Sequence, residues 1–211
     1  MFRKLFGKSE KKNVFMIGVL GKTVEPRQFG HLCAANLVID TSRRRVQDII
    51  QVGTQGDHQR PLQNRIAMNP SDAEDVLISY SLGVYYVHCS LFLKVPAPIL
   101  DEIRLGFKEG ISAFKTHGKP NYLLEEIQTM YDQIGYFGQE IYNDLNEYPP
   151  ARCIVRPDAE LVYKALLNIY NLDDLDVNPF DKILIHQQIT LERVDTNIGI
   201  KQALKLGFVF Q

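Results

Sequence analysis

The sequence predicts a mainly α-helical fold with a single helical domain, and three observations support this. Apolar residues recur at helical spacing through most of the 211-residue chain. Proline, glycine and capping residues punctuate these segments as they do at helix boundaries. Strands do not alternate with helices, so a parallel sheet is not expected, although a short N-terminal or central β element fits the pattern. Residues 1–13 are predicted to be a basic flexible tail, and residues 14–211 the domain.

The composition is that of an ordinary globular protein, with 45% hydrophobic and 23% charged residues and a formal net charge of −1. Such a balance creates no basic field, so nucleic acid is not an expected partner. Three cysteines, Cys33, Cys89 and Cys153, are too few for a disulfide framework. Because no secretory pattern accompanies them, we expect a soluble protein in the cytoplasm.

The N-terminal tail combines apolar and basic residues. Phe2, Leu5 and Phe6 would share one side of a helix, and Arg3 and Lys4 lie between them in the chain. Apolar side chains flanked by cations are typical of segments that lie on anionic membranes. These five residues are therefore candidate membrane-surface residues.

The first half of the domain is predicted to hold one extended segment and several helices. Residues 14–20 form a short apolar run that fits a strand, and a helix is predicted over 27–40. Thr41 and Ser42 are candidate caps for the next helix. Residues 53–70 are polar and rich in glycine and proline, so they are predicted to form a long, functional loop.

The stretch 76–95 is apolar enough to raise the question of a membrane span. Serine, tyrosine and histidine side chains run through its middle, which favours a buried core helix instead. Ser71 and Glu74 have the spacing of a capping box, which predicts that this helix begins at Ser71. The β-favouring residues Val84–Val87 leave a strand as the alternative.

The second half of the chain is predicted to be helical almost throughout. Gly135 and Gly138 fall inside the longest pattern and predict a kink or close packing there. Asp158 is a candidate cap for a helix that ends near Tyr170. The predicted segments are 99–116, 120–148, 158–170, one from Pro179 into the 190s, and a final helix turn or strand over 200–210.

Motifs that resemble cofactor sites fail on their spacing. Residues 18–23 lack the four residues that must separate the glycines of a phosphate loop. Residues 174–178 open like a calcium loop, but Pro179 and Ile185 occupy the positions that need glycine and glutamate. The histidines and cysteines show no zinc spacing. The sequence therefore predicts neither a metal site nor a cofactor.

Acid–base residues recur on one face of the long helix. Asp132, Tyr136 and Glu140 are four residues apart, and with His88 they are candidate catalytic residues. The same ladder is typical of a solvated helix face, which is the favoured interpretation.

Basic side chains provide the candidate partner-binding residues. Arg43, Arg44 and Arg45 form the densest basic run outside the tail, and His58 and Arg60 lie in the predicted loop. Arginine pairs well with carboxylate or phosphate groups of a partner.

Taken together, these patterns predict a non-enzymatic intracellular domain that binds another protein. An adaptor, a chaperone-like protein or a toxin-neutralising protein would have such a sequence, with aromatic residues enough for a binding hot spot. One alternative is a small enzyme with a dispersed acid/base site. The other is a peripheral membrane protein anchored by its basic tail.

Overall fold

The protein is mainly α-helical, as the sequence predicted. The computed structural model describes residues 15–17, 22–34, 38–54, 60–92, 94–114, 129–130, 132–146, 156–205 and 209–210. Its helices are α1 (Pro26–Cys33), α2 (Ile39–Thr54), α3 (Pro61–Met68), α4 (Pro70–Val87), α5 (Ala97–Phe114), α6 (Gly138–Asn146), α7 (Pro157–Tyr170) and α8 (Pro179–Lys205). A π turn at His88–Phe92 follows α4, and a 3-10 turn at Asp174–Asp176 precedes α8.

A small antiparallel sheet joins the two ends of the described chain. Strand β1 (Phe15–Ile17) lies between β2 (Lys22–Val24) and β3 (Val209–Phe210). Phe15 is opposite Val24 on one side and Phe210 on the other. The strand predicted within 14–20 is confirmed. In the final segment, predicted as a helix turn or strand over 200–210, residues 200–205 are helical and Val209–Phe210 form the strand.

Helix α4 lies between two apolar clusters. Thirteen of its 18 residues are buried. Leu77, Tyr80 and Val84 pack in one cluster with α2, α3, α7 and α8. Ile78 and Leu82 pack in the other, with α1 and α5. A helix that is apolar all round belongs inside a protein core or a membrane, and among the described residues no helix is both long and apolar enough to cross a bilayer.

Helices α1 and α5 cross with their backbones in contact. A Cβ atom at Gly106 would overlap the backbone carbonyl of Arg27, and one at Gly30 would overlap that of Ile103. A Cβ at Gly110 would lie 2.7 Å from that of Ala34. Small residues at these positions therefore permit the close approach that buries the second cluster.

Substitution of Gly106 by alanine should test this crossing. The added methyl group forces α1 and α5 apart, so we expect G106A to lower the free energy of unfolding by about 1–3 kcal/mol, the usual cost of overpacking. Gly135 provides the matched control, because a Cβ atom there would meet no packing neighbour within 4 Å among the described residues. G135A should raise stability by up to about 1 kcal/mol. Urea denaturation measures both, and equal effects would contradict the proposed packing.

Several predicted boundaries are wrong. Much of the predicted loop 53–70 is helical, because Pro61 occupies the first turn of α3 and Leu62 and Ile66 are buried. Of the helix predicted over 27–40, residues 27–34 and 38–40 are helical, and residues 35–37 between them lie outside the described part, so its continuity is not tested. The strand alternative for Val84–Val87 is also wrong, since these residues continue α4 into the core.

The predicted caps are displaced into the helices. Thr41 and Ser42 lie inside α2. Helix α4 is preceded by Asn69 and begins at Pro70, so Ser71 is not its cap. The Tyr170 hydroxyl instead accepts a hydrogen bond from the Ala73 amide at 3.2 Å and donates one to the Asn69 carbonyl at 2.6 Å. A side chain distant in sequence thus replaces the local capping box.

The second half of the chain follows the prediction more closely. A kink or close packing is predicted at Gly135 and Gly138, and the helix is interrupted at Phe137 between them, although the Phe137 amide still donates to the Gln133 carbonyl and the Ile141 amide to that of Phe137. Helix α7 ends at Tyr170 as predicted, but Arg156 precedes it and Asp158 is its second residue. Helix α8 begins at Pro179 as predicted. Residues 115–128 and 147–155 lie outside the described part, so the extent of the longest predicted helix is not tested.

Candidate interaction surface

Helix α8 presents much of its polar sequence to the interior of the protein. Two apolar residues, Ile185 and Ile189, reach the main core. Over residues 179–197, whose side chains the structure describes, the other buried positions of α8 are polar or charged, namely Asp181, His186, Glu192, Arg193, Thr196 and Asn197. Buried polar and charged groups need partners, and residues of α2, α4 and α7 and Arg60, just before α3, supply them.

Glu192 is fully buried where α8 faces α2 and α4. Its Oε1 accepts hydrogen bonds from the hydroxyls of Ser42 and Ser81, each at 2.7 Å. The Arg45 Nε lies 3.7 Å from Glu192 Oε2. Burial raises the pKa of the Glu192 carboxyl, and the two hydroxyl hydrogen bonds oppose that shift in part. Three helices therefore meet at one carboxylate.

Arg45 joins α2 to α8 through a second set of contacts. Its side chain is 8% exposed, and its guanidinium lies 2.5 Å from Asp195 and 2.9 Å from Asp48. It also donates a hydrogen bond to Gln188 Oε1 at 2.9 Å. Such geometry uses the planar fork of arginine, which lysine could not match.

A further buried ion pair connects α8 to α7. Arg193 lies 3.2 Å from Asp158, whose carboxylate also accepts a hydrogen bond from Tyr80 at 2.7 Å. Near the start of α8, Asp181 pairs with Arg60 at 3.1 Å, and both side chains are buried. Partners thus hold α8 from its first turn to Arg193.

These contacts determine which face of α8 meets the solvent. A rotation that buried the opposite face would remove Glu192 and Arg193 from their partners, and breaking a buried pair costs about 3–5 kcal/mol. The face left outside is apolar: Phe180, Ile183 and Leu191 are 61%, 45% and 42% exposed. We call this the outer face of α8; it also contains the half-buried Leu184 and Val194 and the exposed Gln187.

The outer face has the spacing of a helix-pairing seam. Phe180, Leu184, Gln187, Leu191 and Val194 follow one another at intervals of four and three residues. This 3–4 repeat is what coiled-coil helices use to pack side by side. Four of the five positions are apolar, and the polar one lies at the centre.

Charged side chains flank the two ends of the outer face. Before α8, Asp173 and Asp176 are exposed on either side of Leu175, which is 98% exposed. Near the other end, the Arg44 side chain is 66% exposed and its guanidinium lies 3.7 Å from Asp195, beyond hydrogen-bond distance. The surface therefore has an acidic end and an end where an arginine reaches the solvent.

The predicted partner-binding residues separate into two groups. Arg43 and Arg44 are exposed on α2, where they could reach a partner. Arg45 and Arg60 instead point inward, because buried carboxylates of α8 pair with them. His58 lies outside the described residues, as do the five membrane-surface candidates at positions 2–6.

The predicted catalytic residues do not share one environment. Asp132, Tyr136 and Glu140 are exposed, and Asp132 pairs with Arg104 at 2.7 Å. His88 is only 1% exposed, in the π turn after α4. A groove of about 450 Å³ between α4, α7 and the helical segment before Phe137 is lined by none of the four.

The two cysteines that the structure describes are buried. Burial raises the pKa of Cys89 to about 12 and that of Cys33 well above its usual value, which keeps both thiols protonated. Within the described part of the chain, no three His, Cys, Asp or Glu residues are grouped to hold a metal ion. Cys153 lies outside that part.

Comparison of the chain with protein-family models, curated proteins and solved structures finds no match in any of the three. The outer face of α8, and not a resemblance, is therefore the basis for a functional proposal. Sequence analysis missed this surface because α8 has apolar residues on two sides. The 3–4 spacing of residues 180–194 was the signal that could have revealed it.

The raised pKa of Glu192 predicts a pH-dependent stability. The folded protein binds this proton more tightly than the unfolded chain does, so the resulting stabilisation is present below the ordinary value of 4.5 and is lost as the pH rises through the raised pKa. In E192Q this loss cannot occur. The unfolding free energy of the wild type minus that of E192Q should therefore decrease from pH 4.5 upward, as measured by urea denaturation. A difference that increases over this interval would contradict the assignment.

Proposed function

We propose that the protein is a non-enzymatic interaction domain that binds a helix of another polypeptide along the outer face of α8. One observation carries the proposal: α8 turns charged residues inward and apolar residues outward. Phe180, Ile183 and Leu191 are exposed on one side of α8, with Gln187 between Ile183 and Leu191. Exposed apolar side chains grouped on one surface are typical of binding sites in proteins.

The chemistry of the outer face favours a helical partner. Its 3–4 repeat suits side chains that interdigitate with those of a neighbouring helix. A bound helix with the same spacing would bury Phe180 and Leu191, and Gln187 would lie beside polar residues of the bound helix. Asp176 at one end, and the exposed Arg44 that lies 3.7 Å from Asp195 at the other, would orient that helix.

The alternative functions have less support. An enzyme with a dispersed site would need His88 beside the three exposed acid–base candidates, yet His88 is buried. Peripheral attachment to a membrane would use residues 2–6, and nothing among the described residues adds to that idea. A cytoplasmic location remains a prediction from the sequence.

Site-specific photo-cross-linking in the native cell tests the proposal. Benzoylphenylalanine at position 183 should form defined adducts with a polypeptide, because this side chain is exposed on the outer face beside Phe180 and Gln187. Position 105 is the control, since Leu105 on α5 is 40% exposed and Ile183 is 45% exposed. Adducts from position 183 and none from 105 are expected.

The cross-linked polypeptide must then depend on the outer face for its affinity. With the purified polypeptide, Leu191→Ser should weaken binding about tenfold or more, as loss of a central apolar contact does. Leu105→Ser should leave the affinity unchanged. Identical adducts from both positions, or equal affinities for both variants, would contradict the proposal.

A further inference from the structure

We infer that the helix that covers the outer face of α8 is α8 of a second copy of this chain, packed antiparallel about a two-fold axis at Gln187. The inference rests on the proposed function, because it names the partner of the same surface. It predicts a homodimer with the same residues on both sides of the interface.

The outer face is complementary to itself when reversed. Around Gln187, Phe180 and Val194 lie seven residues away on either side, and Ile183 and Leu191 lie four residues away. An antiparallel pair centred on Gln187 therefore places Phe180 against Val194 of the second copy, and Ile183 against Leu191. These two contacts join apolar side chains, whereas Leu184, three residues before Gln187, faces Thr190 of the second copy.

Gln187 gives this arrangement its register. A polar residue in an apolar seam specifies alignment, because any shifted pairing would place its amide against apolar side chains. In the antiparallel pair the two Gln187 residues lie next to each other at the axis. Shifting one copy by a heptad would place Gln187 against an apolar residue instead.

The charges at the two ends favour the antiparallel direction. The two ends of the outer face are equally far from Gln187. Helix α8 begins eight residues before Gln187, and Asp195 lies eight residues after it, where the Arg44 side chain approaches. Each end is thus about 12 Å from the axis. An antiparallel pair brings Asp176 of one copy near Arg44 of the other, whereas a parallel pair would bring the acidic ends together.

The size of the contact indicates a reversible dimer. From residue 180 to residue 194 the helix is about 21 Å long, and a helix with its side chains is about 10 Å wide. A strip of that area is smaller than the roughly 800 Å² per partner of standard stable interfaces. The dimer fraction should therefore rise with concentration.

Sedimentation velocity of the full-length protein over a wide concentration range tests the inference. The wild type should pass from monomer to dimer. Leu191→Ser should raise the dissociation constant about tenfold or more, and Leu105→Ser should not change it, although the two leucines are 42% and 40% exposed. Circular dichroism should show that both variants remain folded, because neither side chain is in the core.

A charge-reversal cycle tests the direction of packing. Arg44→Asp and Asp176→Arg should each weaken the dimer, and the double variant should restore it. Failure of the double variant to restore the dimer would overturn the antiparallel arrangement. A dimer weakened equally by Leu191→Ser and Leu105→Ser would also overturn it.

A monomer at every concentration would overturn the inference altogether. If position 183 nevertheless cross-linked to a different polypeptide, the interaction domain would stand and only the identity of its partner would be wrong. A monomer that formed no adduct at position 183 would contradict both proposals.

Discussion

The arrangement of this protein depends on the pairing of charges buried around α8. Glu192 and Arg45, fully or almost fully buried, lie between α8, α2 and α4, and Arg193 meets Asp158 of α7. A buried charge without its partner is far more costly than an exposed apolar side chain. The rotation of α8 about its own axis therefore follows from the polar contacts, and its apolar outer face is a consequence of that rotation.

The two apolar clusters make those polar contacts possible. Helix α4 is buried on both sides, so packing determines its position. From that position Ser81 donates a hydrogen bond to Glu192 of α8, and Tyr80 donates one to Asp158. The close crossing of α1 and α5 through Gly30 and Gly106 buries the second side. Side chains held by packing can hold a polar network in one geometry, and a rigid α8 is what a specific docking surface requires.

Sequence patterns predicted the elements better than their ends. Period and composition predicted a helix in the stretch 76–95, where α4 reaches Val87 and a π turn reaches Phe92, and the start of α8 at Pro179, because these signals are local. The capping box at Ser71 failed because Tyr170, nearly 100 residues away, serves the first turn of α4. The cap predictions at Ser42 and Asp158 also failed. A short polar side chain near a helix start gives the same sequence pattern whether it bonds the helix backbone or, as here, a distant carboxylate or cation.

The candidate site was harder to predict than the fold. Arg45 and Arg60 belong to basic segments that suggested a partner, yet the carboxylates that pair with them lie more than 100 residues away in α8. Conversely, Phe180 and Leu191 resembled core residues, because apolar spacing alone does not tell which side of a helix faces the protein. Only the position of Glu192 and Arg193 settles that question.

Thiol reactivity along α8 is the most direct test of which face of this helix is buried and which is exposed. Single cysteines are introduced at positions 180, 183, 187 and 191 and at 185, 189, 192 and 196, in a chain with Cys153 replaced by alanine and diluted below any self-association. Cysteines at the outer positions 180, 183, 187 and 191 should react rapidly with a maleimide in the folded protein. Cysteines at the inner positions 185, 189, 192 and 196 should react only after unfolding. Protection at 180, 183 and 191 together with rapid reaction at 192 and 196 would contradict the account.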